Sequence, residues 1–185
     1  MRKNFGAKPL TYPQPVLIIA SYDEAGVPDA MNAAWGGISE ANEISMCLSA
    51  GHKTAKNIRG RKGLTVRMAD SAHGGPSEWV GSECATKGPD KLAKAGFTTT
   101  KSERVDAPII NELAICLECK LISYDPETCR MVGEIVNVSV DESAMTDGKV
   151  DVAKAAPITF DPFNNAYHVI GEKVGNAFSD GKKLK

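Results

Sequence analysis

The sequence has three histidines, 6% aromatic residues and no excess of either charge. Its 22 basic residues against 23 acidic ones leave a formal net charge of −1, so no global field draws it to nucleic acid or to an anionic membrane. No apolar run approaches the roughly 20 residues of a membrane span. The longest near the start is Pro15-Val16-Leu17-Ile18-Ile19-Ala20. Met1-Arg2-Lys3-Asn4-Phe5 is charged but leads into no signal-peptide core, so a cytoplasmic location is expected. The five cysteines (Cys47, Cys84, Cys116, Cys119, Cys129) are odd in number and loosely spaced. They read as reduced thiols, not as a disulfide framework.

Several chemistries lack their signatures. There is no Walker A loop, no G-x-G-x-x-G and no G-x-S-x-G elbow. Cys116-Leu117-Glu118-Cys119 is formally C-x-x-C, but its flanks read as strand, where residues i and i+3 face opposite ways and cannot bridge. No second C-x-x-C or histidine pair completes a zinc site.

What is present is a globular composition, 42% hydrophobic and 24% charged over 185 residues, enough for one domain or one domain with a tail. Strand signals dominate. Val16 to Ser21 is a β-rich run closed by the turn Asp23-Glu24-Ala25-Gly26, and a second strand is expected over Asp29 to Ile38. Ile44 to Ser49 and Leu64 to Met68 alternate with period two. Ala114 to Tyr124 and Cys129 to Val140 flank a hairpin turn at Asp125-Pro126-Glu127-Thr128. A short helix fits His52 to Arg59, with Gly60 and Gly63 after it, and another fits Pro89 to Gly96. Six strands in succession, without alternating helices, favour an antiparallel closed or nearly closed barrel over a doubly wound sheet. The tail from about Asp147 carries enough aromatics to pack onto that barrel.

Two stretches carry chemistry. Ser49-Ala50-Gly51-His52-Lys53-Thr54 leaves a strand through glycine and enters a helix with a cation and a hydroxyl in its first turn. Free N–H groups at a helix start bind phosphate. On spacing alone the commoner arrangement is an ordinary turn, with Thr54 as N-cap and Lys53 solvated. Ala30-Met31-Asn32-Ala33-Ala34-Trp35-Gly36-Gly37 is unusually small for a strand, which suits close approach of a backbone or a flat ligand. Trp35 either walls such a pocket or anchors the core, and Asn32 offers a donor and an acceptor. Lys91, Phe163 and Tyr167 read as solvated or packing residues.

In their order, these stretches resemble the flavin reductase-like, FMN-binding split-barrel family, flavoredoxins included. The matching pieces run from Tyr12-Pro13-Gln14-Pro15 through Asp29 to Gly36, Ser49 to Ile58, Leu64 to Ala69, Pro89-Asp90-Lys91-Leu92, Ala107-Pro108-Ile109-Ile110 and Leu117-Glu118-Cys119-Lys120 to Val132-Gly133-Glu134-Ile135-Val136. The resemblance implies a mainly β fold: a six-stranded antiparallel Greek-key split barrel with short peripheral helices over residues 1–145, and an extension over 146–185. It implies a homodimer with one FMN per subunit, exchanging electrons with NAD(P)H or a redox protein partner. Asn32, Ala33, Ala34 and Trp35 would lie beside the flavin ring. Ser49, Ala50, His52, Lys53, Thr54 and Asn57 would hold the phosphate and ribityl chain, with Lys91 reaching the flavin. One departure stands out: related flavoredoxin-type sequences often carry a histidine before the Gly-Glu-Val strand, and Cys129 is the nearest residue here. A flavin-binding barrel without redox turnover is the alternative that this departure raises.

Overall fold

The computed structural model describes residues 1–83 and 90–184. Cys84, and the Pro89 expected to open the second helix, lie outside the described residues. The central sheet has strands β1 (Leu17–Tyr22), β2 (Pro28–Ala33), β3 (Gly36–Glu40), β4 (Glu43–Cys47), β5 (Gly63–Met68), β6 (Ile115–Asp125) and β7 (Arg130–Val140). Their spatial order is β2-β1-β5-β6-β7-β4-β3, antiparallel throughout. The two edge strands, β2 and β3, are consecutive in the chain and separated only by Ala34 and Trp35. Two residues cannot cross a flat sheet seven strands wide, so the sheet curls until its edges meet. This is a split barrel, with seven principal strands in place of the expected six. The single strand expected over Asp29 to Ile38 breaks at Ala34-Trp35 because its halves pair on opposite edges.

The curl divides the apolar residues between two cores. Leu17 and Ile19 point into the barrel with Met31, Ile44, Met46, Leu64, Val66, Leu117 and Met131. Ile18 and Ala20 face outward, yet Val80, Leu92, Phe97, Ile110, Leu113 and Ile158 cover them. Burial on both faces explains why β1 is a continuous apolar run and not an alternating one. Cys119 lies in the inner core, whereas Cys116 stands opposite Arg67 on the other face, so the C-x-x-C stretch is strand, and both thiols are free.

Helix α1 (Lys53–Arg61) plugs the barrel with Ala55 and Ile58, both 0% exposed. It ends on Lys62, held in the left-handed conformation at φ 60°, and not on a glycine. Its outer side is tied to the β1–β2 turn: Lys53 pairs with Asp23 at 3.0 Å, Lys56 with Glu24 at 3.3 Å, and Arg61 donates to the Asp23 and Glu24 carbonyls. Helix α2 (Gly74–Ser82) and the four-residue α3 (Lys91–Lys94) cover β2. In the tail, strands β8 (Ile158–Asp161) and β9 (Ala166–Val169) form a hairpin whose first strand pairs with Gln14–Pro15. Asp161 anchors it, accepting from the Tyr12 hydroxyl, the Asn164 amide and the backbone of Phe163. No helix among the described residues is long and apolar enough to cross a membrane.

Gly36 shows that part of the small-residue stretch serves the barrel itself. A Cβ placed there would lie 2.9 Å from Met46 Cγ, 3.1 Å from Leu17 Cδ1 and 3.1 Å from the Ser45 carbonyl. Leu17 comes from beside one edge of the sheet and Met46 from beside the other, so Gly36 sits where the barrel closes. Gly36→Ala is expected to lower stability by about 1–3 kcal/mol through overpacking, read as a lower urea midpoint at unchanged slope.

Candidate functional site

Three clefts run around the C-terminal half of β2. The first, about 300 Å³, is lined by Met31, Asn32, Ala33, Ala34, Trp35, Cys47, Ser49, His52 and Cys129. The second, about 200 Å³, is lined by Asp29, Met31, His52, Lys53, Thr54, Lys91 and the end of α2. They adjoin at Met31 and His52. A third, about 330 Å³, shares Asn32, Ala33 and Ala34 with the first and Gly81 and Ser82 with the second, and adds Phe160 and Tyr167 from the tail hairpin. The structure thus brings together Asn32, Ala33, Ala34, Trp35, Ser49, His52, Lys53, Thr54 and Lys91. Ala50 is at the exposed apex of the turn, and Asn57 is buried one turn further along α1. Neither lines these clefts.

Trp35 is 54% exposed, so it is a wall of the first cleft and not a core anchor. Ala33 and Ala34 keep the floor low where the two edges of the sheet meet. Asn32 is fixed by a hydrogen bond from its Nδ2 to the Ser77 carbonyl at 3.2 Å. Gly81 lets α2 come close at this point, since a Cβ there would lie 2.7 Å from Asn32 Cβ.

The second cleft opens on the N-terminus of α1. His52 is the N-cap, in extended conformation, and its side chain caps nothing. The first helical N–H groups, those of Lys53, Thr54 and Ala55, have no acceptor within the helix, and the positive end of the helix dipole coincides with them. Thr54 is therefore not the cap. It is buried, and its hydroxyl donates to Asp29 Oδ2 at 2.7 Å. Lys91 is not solvated either: its side chain is 8% exposed, and its ammonium stands 3.2 Å from Asp29 Oδ1 and donates to the Glu83 carbonyl at 3.2 Å. The Lys91 contact to Asp29 is an ion pair without hydrogen-bond alignment, and among the described residues no other donor completes Asp29 Oδ1. Asn57 Nδ2 is a second buried polar atom without a partner among the described residues.

Lys53 sits beside the cleft but is committed to Asp23. That hydrogen bond, with those from the Val27 and Ala25 N–H groups, holds the Asp23 carboxyl below the usual aspartate range. A depressed folded value means a stabilising contribution that is present above the unfolded pKa of about 4 and lost as pH falls through the lower folded one. Lys53→Met removes the largest cause. Its thermal midpoint is expected to fall less than that of the parent between pH 5 and pH 3, measured by circular dichroism.

Tyr167 and Phe160 were not among the sequence candidates, and neither were Met31, Ser82 or Cys47. Burial pushes the Tyr167 hydroxyl up, Glu78 adds to this, and a hydrogen bond with Asn32 opposes it. Its only sequence signal was the aromatic content of the tail, which suggested packing onto the barrel.

A flat cleft floored by small residues, leading to an uncapped helix start with a buried acceptor between them, has the parts that a planar ring carrying a polyol and an anion would need. The polyol hydroxyls would complete Asp29 Oδ1, and the anion would take the open N–H groups. A flavin nucleotide has these parts, and the residues present fit it.

Residues 10–157 match the flavin reductase like domain family, and the chain belongs to it. Among solved structures, the flavoredoxin of Desulfovibrio vulgaris (Miyazaki F) is similar at 34% identity and a TM-score of 0.93, over 98% of this chain and 100% of that one. Flavoredoxin from Methanosarcina acetivorans is 23% identical with a TM-score of 0.86, over 100% and 98% of the two chains. An FMN-binding domain of a flavin reductase-like enzyme from Shewanella baltica OS155 is 18% identical with a TM-score of 0.78, over 88% and 89%. Family membership makes the ligand class a flavin and the chemistry flavin-related redox.

Proposed function

We propose that this protein binds FMN in the continuous cleft around β2 and uses it as an NAD(P)H-dependent oxidoreductase of the flavin reductase and flavoredoxin type. The observation that carries this is the uncapped start of α1, which opens through Met31 and His52 onto the cleft of Ala33, Ala34 and Trp35. Bound FMN supplies the electron-accepting ring. The chain supplies position and charge. Backbone N–H groups of Lys53 and Thr54 hold the phosphate, with Lys91 as the nearby cation, while Ser49 and His52 flank the ribityl chain. Asn32 orients the ring edge, and Ala33, Ala34 and Trp35 exclude water from its face. Asn57 supports the helix start from behind, and Ala50 shapes the turn.

The protein works as a cytoplasmic homodimer. Exposed Trp35 and Ile38, next to the ring cleft, support a second copy at this edge of the sheet. The barrel over 1–145 carries the flavin, and the extension over 146–185 covers it through Phe160 and Tyr167. The reading is tested by anaerobic titration of the FMN-loaded protein with NADH and NADPH. Bleaching of the flavin bands by either nucleotide is expected. Bands that resist both but bleach with dithionite would remove the NAD(P)H arm and favour a protein-fed carrier or a non-turnover flavin barrel, the alternative raised by Cys129.

A further inference from the structure

The four described cysteines are of two kinds. Cys116 and Cys119 are buried, and burial pushes both thiols up, Cys119 to about 12. Cys47 is exposed, Cys129 is partly so, and both line the ring cleft. Cys47 is the last residue of β4, and Cys129 closes the β6–β7 turn. Arg130 pairs with Cys47 and the Leu48 N–H donates to the Cys129 carbonyl at 2.8 Å, so the two cysteines are diagonal neighbours across one ladder. Strand spacing and rise put the Cα atoms of such neighbours about 6 Å apart. A disulfide spans about 4.4–6.8 Å between Cα atoms.

Diagonal neighbours in regular strands face opposite ways, but Cys129 has φ 59°, a left-handed backbone outside strand geometry that costs a non-glycine residue about 1–2 kcal/mol, and its Sγ lies 3.9 Å from the Pro126 carbonyl in the turn. Cys47 Sγ lies 4.0 Å from the Thr128 carbonyl, which is bonded to the Cys129 nitrogen. Both thiols act on the Tyr124 hydroxyl, which burial raises most. Cys47 also opens onto a groove of about 700 Å³, where Lys8 and Arg130 supply positive charge.

We infer that Cys47 and Cys129 form a redox-active dithiol that reduces small anionic disulfides entering by this groove. The Cys47 thiolate attacks one sulfur of the disulfide, forming a mixed disulfide and releasing one thiolate. The Cys129 thiolate attacks Cys47 Sγ, closing the intramolecular bond and releasing the second. The two protons lost by the cysteines end on the two released thiols, and two electrons pass from the dithiol to the substrate. This step does not depend on the flavin, so it stands or falls apart from FMN binding.

The test equilibrates the purified full chain in buffers of oxidised and reduced glutathione, then alkylates it and maps the peptides. A bridge joining Cys47 to Cys129, with a mass loss of about 2 Da, is expected as the oxidised fraction rises. Cys47→Ser and Cys129→Gly, the latter suited to the left-handed backbone, should each abolish it, and Cys116→Ser should leave it intact. A bridge to any other cysteine, or free thiols at Cys47 and Cys129 across the whole range, would overturn the inference.

Discussion

Lys91→Met is expected to destabilise the fold by about 3–5 kcal/mol, the cost of leaving a buried carboxylate without its cation. Asp29 is 2% exposed and the Lys91 side chain 8%. Apart from Lys91, the charge on Asp29 is met by the Thr54 hydroxyl, and one oxygen has no aligned donor among the described residues. Removing the ammonium therefore leaves a buried carboxylate with the Thr54 hydroxyl as its one aligned side-chain donor among the described residues. The double variant Asp29→Asn/Lys91→Met removes both charges and is expected to recover most of the loss, because a buried ion pair contributes little net stability over a neutral pair of similar shape. Urea unfolding of the parent, both single variants and the double variant measures the coupling. A loss below about 1 kcal/mol for Lys91→Met would mean that the pair is solvated, as surface pairs are.

Ala34→Leu is expected to weaken FMN binding by about 100-fold or more, equal to about 2.7 kcal/mol, while stability changes by less than about 0.5 kcal/mol. Ala34 lines both the 300 Å³ and the 330 Å³ clefts, so a larger side chain fills the floor from which they share access. It stands in the break between β2 and β3, outside the ladders, which is why the barrel tolerates the change. Fluorescence quenching on FMN titration, with urea unfolding beside it, checks both halves. Unchanged affinity in a folded Ala34→Leu variant would place the ring elsewhere.

The strands were legible because their signals are local: the apolar run of β1, the period-two alternation of β4 and β5, and the turn between β6 and β7. The break at Ala34-Trp35 was not, because no turn chemistry marks it. Closure of the sheet imposes it, and closure is a property of all seven strands. The same distinction runs through the site. The Ser49 to Thr54 turn and the small residues at Ala33 and Ala34 were readable as a helix start and a low floor. That Lys91 is buried, that Thr54 serves Asp29 and that Lys53 serves Asp23 were not, since each depends on a partner distant in sequence. Gly60 was read as punctuation, yet α1 runs through it to the left-handed Lys62. Tyr167 and Phe160 reach the clefts only because β8 pairs beside Gln14–Pro15.

The measurement closest to the central claim compares FMN with riboflavin by equilibrium titration, following the visible flavin bands. The two share the ring and polyol and differ in the phosphate, so the ratio isolates the start of α1. FMN is expected to bind about 100-fold more tightly or better, a ratio that shrinks with added salt, as charge-assisted contacts at a helix N-terminus require. Equal affinities would contradict the phosphate site at Lys53 and Thr54, and unshifted bands with either compound would contradict flavin binding in this cleft.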